Sequence, residues 1–254
     1  MVKGMDVFKS AFAAHVDKFI LIGGSACDIS LAGFGGFRAT HDIDMLVVAE
    51  RIDKAFATDF RRFISEGGYN CYESKDGARH FYRFLAPTNP TYPSQIELLS
   101  RTQLPHKPGL RYTPLKADTY LKSMSAIILT SEYYDFALAN ATLVDGISCL
   151  TRPALVVFKA AAYLNLKEEK ANNPTRIRTS DITKHRNDVF RLISSISPDE
   201  RVDLPESIRT RMAEFRASFP LSNVEAWDAI TQSQGAFSDT PENYLSRFSG
   251  LFGM

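Results

Sequence analysis

Hydrophobic and polar positions follow two different patterns along the 254-residue chain. In roughly the first hundred residues, short apolar runs bounded by glycine, proline or charged residues predict strands, and amphipathic helices lie between them. After Pro153 the apolar residues recur every three or four positions, which indicates helices. The pattern therefore predicts an α/β (α+β) fold, with an N-terminal mixed-sheet lobe and a mainly α-helical C-terminal lobe.

The predicted elements divide the chain into three segments. Residues 1–105 form the mixed-sheet lobe, residues 106–152 a strand-rich connector that starts in a proline-rich loop, and residues 153–254 the helical lobe. Strands are predicted at 19–22, 43–48, 69–73, 79–85, 95–100, 122–130 and 141–150, and helices at 5–16, 25–31, 52–66, 155–166, 181–196, 205–215 and 224–230.

Composition restricts the partners and the compartment. The 30 Lys and Arg residues nearly balance the 29 Asp and Glu residues, so the chain has no global field that would attract nucleic acid or an acidic membrane. No apolar run approaches the roughly 20 residues that cross a bilayer, and the N-terminus lacks the apolar region of a signal peptide. Three scattered cysteines fit a reducing compartment. We expect a cytoplasmic protein with no membrane partner.

The segment FILIGGSACDISLAGFGGFRATHDIDMLVV contains the candidate chemistry. It places a strand, a Gly-Gly-Ser turn and a helix capped by Ser25 ahead of a second strand that begins with Asp42-Ile43-Asp44. Side chains two apart on a strand share a face, so Asp42 and Asp44 project together. Two adjacent carboxylates repel each other unless a cation lies between them, and oxygen ligands favour Mg²⁺ or Mn²⁺. The acid pair is therefore a candidate metal site.

The turn before the helix is a candidate phosphate site. Glycines at 23 and 24 allow the backbone to approach a phosphate, Ser25 supplies a hydroxyl, and the helix N-terminus supplies free N–H groups. A third acid, Glu97, lies between Ile96 and Leu98 in a later strand and would complete a two-metal site. Asp-x-Asp and Gly-Gly-Ser are each common in loops and turns, and it is their order along the chain that points to catalysis.

Gly23-Gly24-Ser25 followed by Arg38-x-Thr40-x-Asp42-Ile43-Asp44 resembles the signature of the nucleotidyltransferase (polymerase-beta-like) superfamily. Within it, the pattern is most similar to the AbiE-type toxin nucleotidyltransferases of bacterial type IV toxin-antitoxin systems. The resemblance implies that Gly23, Gly24, Ser25 and Arg38 bind an NTP substrate, and that Asp42, Asp44 and Glu97 hold Mg²⁺ or Mn²⁺. It implies catalytic roles for Asp42 and Asp44, and for Lys159, Lys184 and Asp188 of the helical lobe.

The resemblance also implies a reaction. An NMP would pass from an NTP to a hydroxyl of an RNA, such as a tRNA 3′ end, or of a protein, with a cognate antitoxin as a partner. The lysines would neutralise the polyphosphate, and Asp188 would orient a lysine or a base. For Lys184 and Asp188, an exposed ion pair is the alternative. Two other functions stay open: a small-molecule (antibiotic) nucleotidyltransferase, and a non-catalytic NTP-binding module of the same fold.

Overall fold

The computed structural model describes residues 2–34, 37–38, 40–73, 79–101, 130–175 and 177–254. These residues divide into two structural units. The first unit includes the described residues up to 101 and those from 130 to 150, and the second runs from Thr151 to Met254. The strand predicted at 122–130 falls almost entirely outside the described residues. So do residues 75–77, whose sequence Lys-Asp-Gly predicts a turn between the strands expected at 69–73 and 79–85.

The first unit is built on a mixed sheet. Within the described residues the strands are β1 (Phe19–Ile22), β2 (Asp42–Val47), β3 (Asn70–Glu73), β4 (Arg79–Leu85), β5 (Gln95–Leu99), β6 (Ala141–Val144) and β7 (Ile147–Leu150). They form one sheet in the order β3-β4-β5-β2-β1-β7-β6. The pairs β1–β7 and β2–β5 are parallel and the others are antiparallel. The predicted α/β class with a mixed sheet is confirmed.

Four helices of the first unit lie within the described residues: α1 (Met5–Phe12), α2 (Gly23–Ser30), α3 (Lys54–Gly67) and α4 (Ser131–Ala139). Helix α3 begins at the N-cap Asp53, whose carboxylate accepts a hydrogen bond of 2.9 Å from Phe56 N, and ends at Gly68 in the left-handed conformation. Phenylalanines from α1, β1 and α3 pack in edge and tilted contacts and form an aromatic core: Phe8, Phe12, Phe19, Phe56, Phe60 and Phe63.

Two details of the first unit differ from the prediction. Helix α2 begins at Gly23, and no side chain caps it, so the prediction that Ser25 is the N-cap is wrong. The physical reason is that Gly23 turns the chain with φ +69°, which starts the helix two residues earlier. Helix α4 was not predicted, although its buried residues Tyr133, Tyr134, Phe136 and Ala137 lie on one helical face.

Strands β6 and β7 come from the segment predicted as a connector, and they extend the same sheet. Leu21 of β1 pairs with Cys149 of β7. A two-residue turn joins β6 to β7, and both its residues, Asp145 and Gly146, have positive φ, as in the tight turns that match strand twist. Lys9 of α1 forms an ion pair with Asp145.

The second unit is helical, with α5 (Arg152–Asn172), α6 (Thr179–Ser194), α7 (Glu206–Ala217), α8 (Val224–Gln234) and α9 (Pro241–Phe252). Helix α5 is buried on nearly all sides from Pro153 to Leu164, and α6 is its main packing partner. The core is aromatic: Tyr163, Phe190, Phe215, Phe219, Trp227, Tyr244 and Phe248. The helix α9 was not predicted. Within the described part of the chain, no helix has both the length and the apolar character required to span a membrane.

Candidate active site

The acid pair lies at the start of β2, where the register fixes which way the side chains point. Ile43 is fully buried, whereas Asp42 and Asp44 are partly exposed on the opposite face of the sheet. Strand β2 has neighbours on both sides, β1 and β5. The prediction that the two acids share one face is therefore confirmed, and the sheet backbone holds them in place.

Gly23 lies against the carboxylate of Asp44. A Cβ atom placed on Gly23 would be 1.9 Å from Asp44 Oδ2, and the residue has φ +69°. Both observations require glycine, because a side chain would collide with the acid and because other residues rarely adopt this conformation. The start of α2 and the acid pair thus form one compact group.

Gly24 and Ser25 complete the turn. A Cβ atom on Gly24 would be 2.6 Å from Thr40 Oγ1, so the chain that leads into β2 packs closely on this glycine as well. Ser25 is fully buried, and its hydroxyl donates a hydrogen bond of 3.3 Å to Ile22 O. In the structure the Ser25 hydroxyl therefore fixes the end of β1 against α2, and its contact with a phosphate stays a prediction.

Glu97 lies next to Asp44 in the parallel β2–β5 register. Its side chain is contacted from two directions: Arg83 Nε lies 2.7 Å from Oε1, and Gln95 Nε2 donates a hydrogen bond of 2.6 Å to the same oxygen. Arg83 belongs to β4 and pairs with Glu97 in the sheet. The third predicted acid is thus beside the acid pair, and it forms an ion pair with an arginine.

Asp42 and Asp44 could supply two carboxylate ligands to the predicted metal ion. Among the described residues, no group of three or more His, Cys, Asp or Glu side chains is arranged to hold a metal ion. Mg²⁺ does not require such a cage, since it is commonly bound by one or two carboxylates together with substrate phosphates. Two carboxylates on one strand face, beside the glycine turn that begins α2, fit Mg²⁺ delivered with a triphosphate.

Arg38 lies on the segment between α2 and β2. Its guanidinium lies 5.1 Å from the ring centroid of Phe37 in a cation–π arrangement, and the residue is partly buried. His41 follows, and its carbonyl accepts a hydrogen bond of 3.1 Å from Ser94 N. NTP binding by Arg38 stays a prediction.

The predicted residues of the second unit form two separate ion pairs. Lys159 of α5 and Asp188 of α6 are almost fully buried, and Lys159 Nζ donates a hydrogen bond of 2.8 Å to Asp188 Oδ2. Lys184 is 42% exposed and pairs with Asp181, at 3.2 Å, one turn away on α6. The alternative of an exposed Lys184–Asp188 ion pair is therefore not the arrangement found, because Asp188 pairs with Lys159 of α5 and Lys184 pairs with Asp181.

Three residues of the first unit were not singled out from the sequence: Thr40, Arg83 and Gln95. Thr40 occurs in the motif, but its contact with Gly24 depends on how the chain folds back. Gln95 is two residues before Glu97 and shares its strand face, a spacing that could have indicated it. Arg83 could be found only from the β4–β5 register, which the sequence does not specify.

The sequence matches no protein-family model and no curated protein. Among solved structures, the chain is similar to the crystal structure of ANT(2'')-Ia in complex with adenylyl-2''-tobramycin, with 14% identity, a TM-score of 0.39 and coverage of 85% of this chain and 98% of that one. The solution structure of the antibiotic-resistance factor ANT(2'')-Ia has 14% identity and a TM-score of 0.37, with coverage of 89% and 96%. An antigenic nucleotidyltransferase-like protein from Paracoccidioides brasiliensis has 12% identity and a TM-score of 0.44, with coverage of 94% of each chain. At this distance the similarities assign no function.

Proposed function

We propose that this protein is a metal-dependent nucleotidyltransferase that moves an NMP from an NTP to a hydroxyl group. The observation that carries the proposal is the group formed by Asp42, Asp44 and Gly23, in which two carboxylates share one strand face and that of Asp44 lies against the first residue of α2. A binding module without catalysis has no need of two adjacent like charges, which repel each other.

The residues of this group have separate tasks in the proposed reaction. The N–H groups at the start of α2 would bind the triphosphate, helped by the positive end of the helix dipole. Asp42 and Asp44 would hold Mg²⁺, which when bound neutralises phosphate charge and activates oxygen nucleophiles. The acceptor oxygen forms a bond to the α-phosphorus, the bond from that phosphorus to the bridging oxygen breaks, pyrophosphate leaves, and the hydroxyl proton passes to solvent.

For the acceptor we propose an RNA hydroxyl, such as a tRNA 3′ end, and for the biological role a bacterial toxin with a cognate antitoxin. The motif resemblance to AbiE-type toxins supports this choice. A protein hydroxyl and a small-molecule antibiotic are the alternative acceptors, and the same experiment tests both. Lys159, Lys184 and Asp188 are proposed to assist catalysis. Substitution tests Lys184 alone, whereas Lys159 and Asp188 form a buried pair and are tested together by a double variant.

The test is label transfer by the purified protein. It is incubated with Mg²⁺, each common ribonucleoside triphosphate labelled at the α-phosphate, and either total RNA, a protein extract or a panel of antibiotics. We expect label in RNA, and we expect Asp42→Asn or Asp44→Asn to lower the rate by about 100-fold or more, because a charge that stabilises the transition state is removed. Asp17→Asn is the matched control, since Asp17 is 56% exposed in the same unit.

Each result has a definite meaning. Label in RNA that depends on Asp42 and Asp44 supports the full proposal, and label only in antibiotics or only in protein replaces the acceptor. Equal transfer by wild type and by the Asp42→Asn/Asp44→Asn double variant would overturn the assignment. NTP binding without transfer to any acceptor would favour the non-catalytic module.

A further inference from the structure

A row of three charged side chains crosses the sheet at the level of the second acid. Strand pairing places Asp44 beside Glu97, and Glu97 beside Arg83. Residues paired in this way point to the same face, and their backbones lie about 4.8 Å apart. The charges along the row are therefore negative, negative and positive. The positive charge is that of an arginine side chain and not that of a metal ion.

Glu97 is restrained in this row by an ion pair and a hydrogen bond at once. Arg83 Nε lies 2.7 Å from Oε1, and Gln95 Nε2 donates to the same oxygen at 2.6 Å. The side chains of Arg83 and Glu97 are only 16% and 12% exposed. Removing Glu97 from the pair would leave a mostly desolvated guanidinium without its counter-charge, which is strongly unfavourable. The carboxylate is thus not available to a new cation at low cost.

We propose that Arg83 takes the position of a second metal ion, so that Asp42 and Asp44 bind a single divalent cation while Arg83 and Gln95 hold Glu97 outside its coordination shell. This inference rests on the proposed function, which supplies the cation. The sequence predicts that Glu97 is the third metal ligand, whereas in this proposal Glu97 does not bind the metal. A second dication close to Arg83 would be repelled by the guanidinium.

The Arg83→Gln/Glu97→Gln double variant separates the proposal from a ligand role of Glu97, because a ligand role also predicts weaker binding in Glu97→Gln. Arg83→Gln removes the competing charge and releases Glu97, so divalent cations should bind more tightly or in greater number. Glu97→Gln leaves the charge of Arg83 uncompensated beside Asp44, so binding should weaken. In the Arg83→Gln/Glu97→Gln double variant both charges of the pair are absent, so binding should return to that of the wild type.

Mn²⁺ binding provides a readout that does not depend on turnover. Mn²⁺ is titrated into the full chain with a non-hydrolysable NTP analogue and followed by electron paramagnetic resonance. We expect one bound ion in the wild type, and in Arg83→Gln about tenfold tighter binding or a second ion. Glu97→Gln should bind about tenfold more weakly, and the double variant should stay within about threefold of the wild type. Arg62→Gln, which removes the same charge from α3, should change binding by less than about threefold.

Loss of an ion, or binding more than about tenfold weaker, in the double variant would overturn the proposal, because Glu97 would then be a ligand. Equal binding by Arg83→Gln and Arg62→Gln would also overturn it. Far-UV circular dichroism and thermal unfolding confirm that each variant folds. If Asp42→Asn/Asp44→Asn leaves Mn²⁺ binding unchanged, the proposed function fails first, and that result is distinct from those for Arg83.

Discussion

Lys159 on α5 donates a 2.8 Å hydrogen bond to Asp188 on α6, and only 2% and 1% of their side chains are exposed. The run from Leu155 to Tyr163 that surrounds the lysine is buried throughout. A charge in such surroundings is tolerated only with a hydrogen-bonded counter-charge. The two residues therefore depend on each other for folding, and a loss of activity in either single variant would not identify a catalytic role.

The first prediction separates the structural and catalytic roles of this pair. Lys159→Met should lower the free energy of unfolding by about 3–5 kcal/mol, because Asp188 keeps a buried charge without its partner. The Lys159→Met/Asp188→Leu variant should recover most of this loss. Urea unfolding followed by circular dichroism measures both. Lys184→Met, which breaks an exposed pair, should cost no more than about 0.5 kcal/mol.

A double variant as unstable as the single one would show that the two charges are not coupled. If the double variant is stable but transfers label about 100-fold more slowly, the pair takes part in catalysis as well. If it is stable and active, the pair serves folding alone.

The second prediction concerns the glycine beside the acid pair. Gly23→Ala should abolish most Mn²⁺ binding and label transfer, because the new Cβ atom would displace Asp44 Oδ2. Gly146→Ala is the matched control: its φ is +76° and nothing lies within 4 Å of the added atom. Both should lose about 1–2 kcal/mol of stability from backbone strain. Similar activity losses in the two variants would contradict a specific role for Gly23.

The third prediction is a pH dependence at the start of α3. The hydrogen bond from Phe56 N and the ion pair with Lys18 lower the pKa of Asp53. A lowered pKa in the folded state means that the ionised form stabilises the protein above the unfolded value of about 3.9, and that this contribution disappears as the pH falls through the folded value.

Asp53→Asn keeps a cap but has no titrating group at this position. The stability of the wild type relative to this variant should therefore be constant near neutral pH and decrease below about pH 4, as measured by urea unfolding across the range. A relative stability that increases on acidification would have the wrong sign and would contradict the assignment.

The fourth prediction concerns thiol reactivity. Cys27 and Cys149 are fully buried free cysteines, and burial raises the pKa of Cys149 to about 12. At about pH 8 only about one Cys149 thiol in 10⁴ would be ionised, so iodoacetamide should leave both residues unmodified in the folded protein and modify them in guanidinium chloride. Peptide mass spectrometry distinguishes the two states. Rapid modification of Cys149 in the native protein would mean that β7 is not buried.

Local patterns predicted the elements that are strongly apolar or strongly amphipathic. The run Phe19–Ile22 gave β1, and the spacing of Phe56, Phe60 and Phe63 gave α3. Local patterns failed where tertiary contacts decide the element. The joining of β7 to β1 depends on the pairing of Leu21 with Cys149, which lie more than a hundred residues apart, and nothing in residues 147–150 alone indicates that partner.

In the candidate site, the sequence also predicted what local spacing decides and not what tertiary contacts decide. The two-residue spacing of Asp42 and Asp44 placed them on one face, because the side-chain period of a strand is two. The partner of Glu97 was not predictable, because the neighbour of a strand residue is set by register and strand order. The position of Lys159 within the apolar run from Leu155 to Tyr163 indicates that the lysine has a partner, but the identity of that partner depends on the packing of α5 on α6.

Strand β2 is hydrogen-bonded on both sides, to β1 and to β5, near the middle of the sheet order. Its backbone amides should therefore be among the slowest in the first unit to exchange with deuterium, since exchange there requires the sheet to open. The acids attached to such a strand have little positional freedom before a ligand arrives. The two acids then lose little conformational entropy when a ligand binds. Most of the interaction energy between the acids and the ligand is therefore available for affinity.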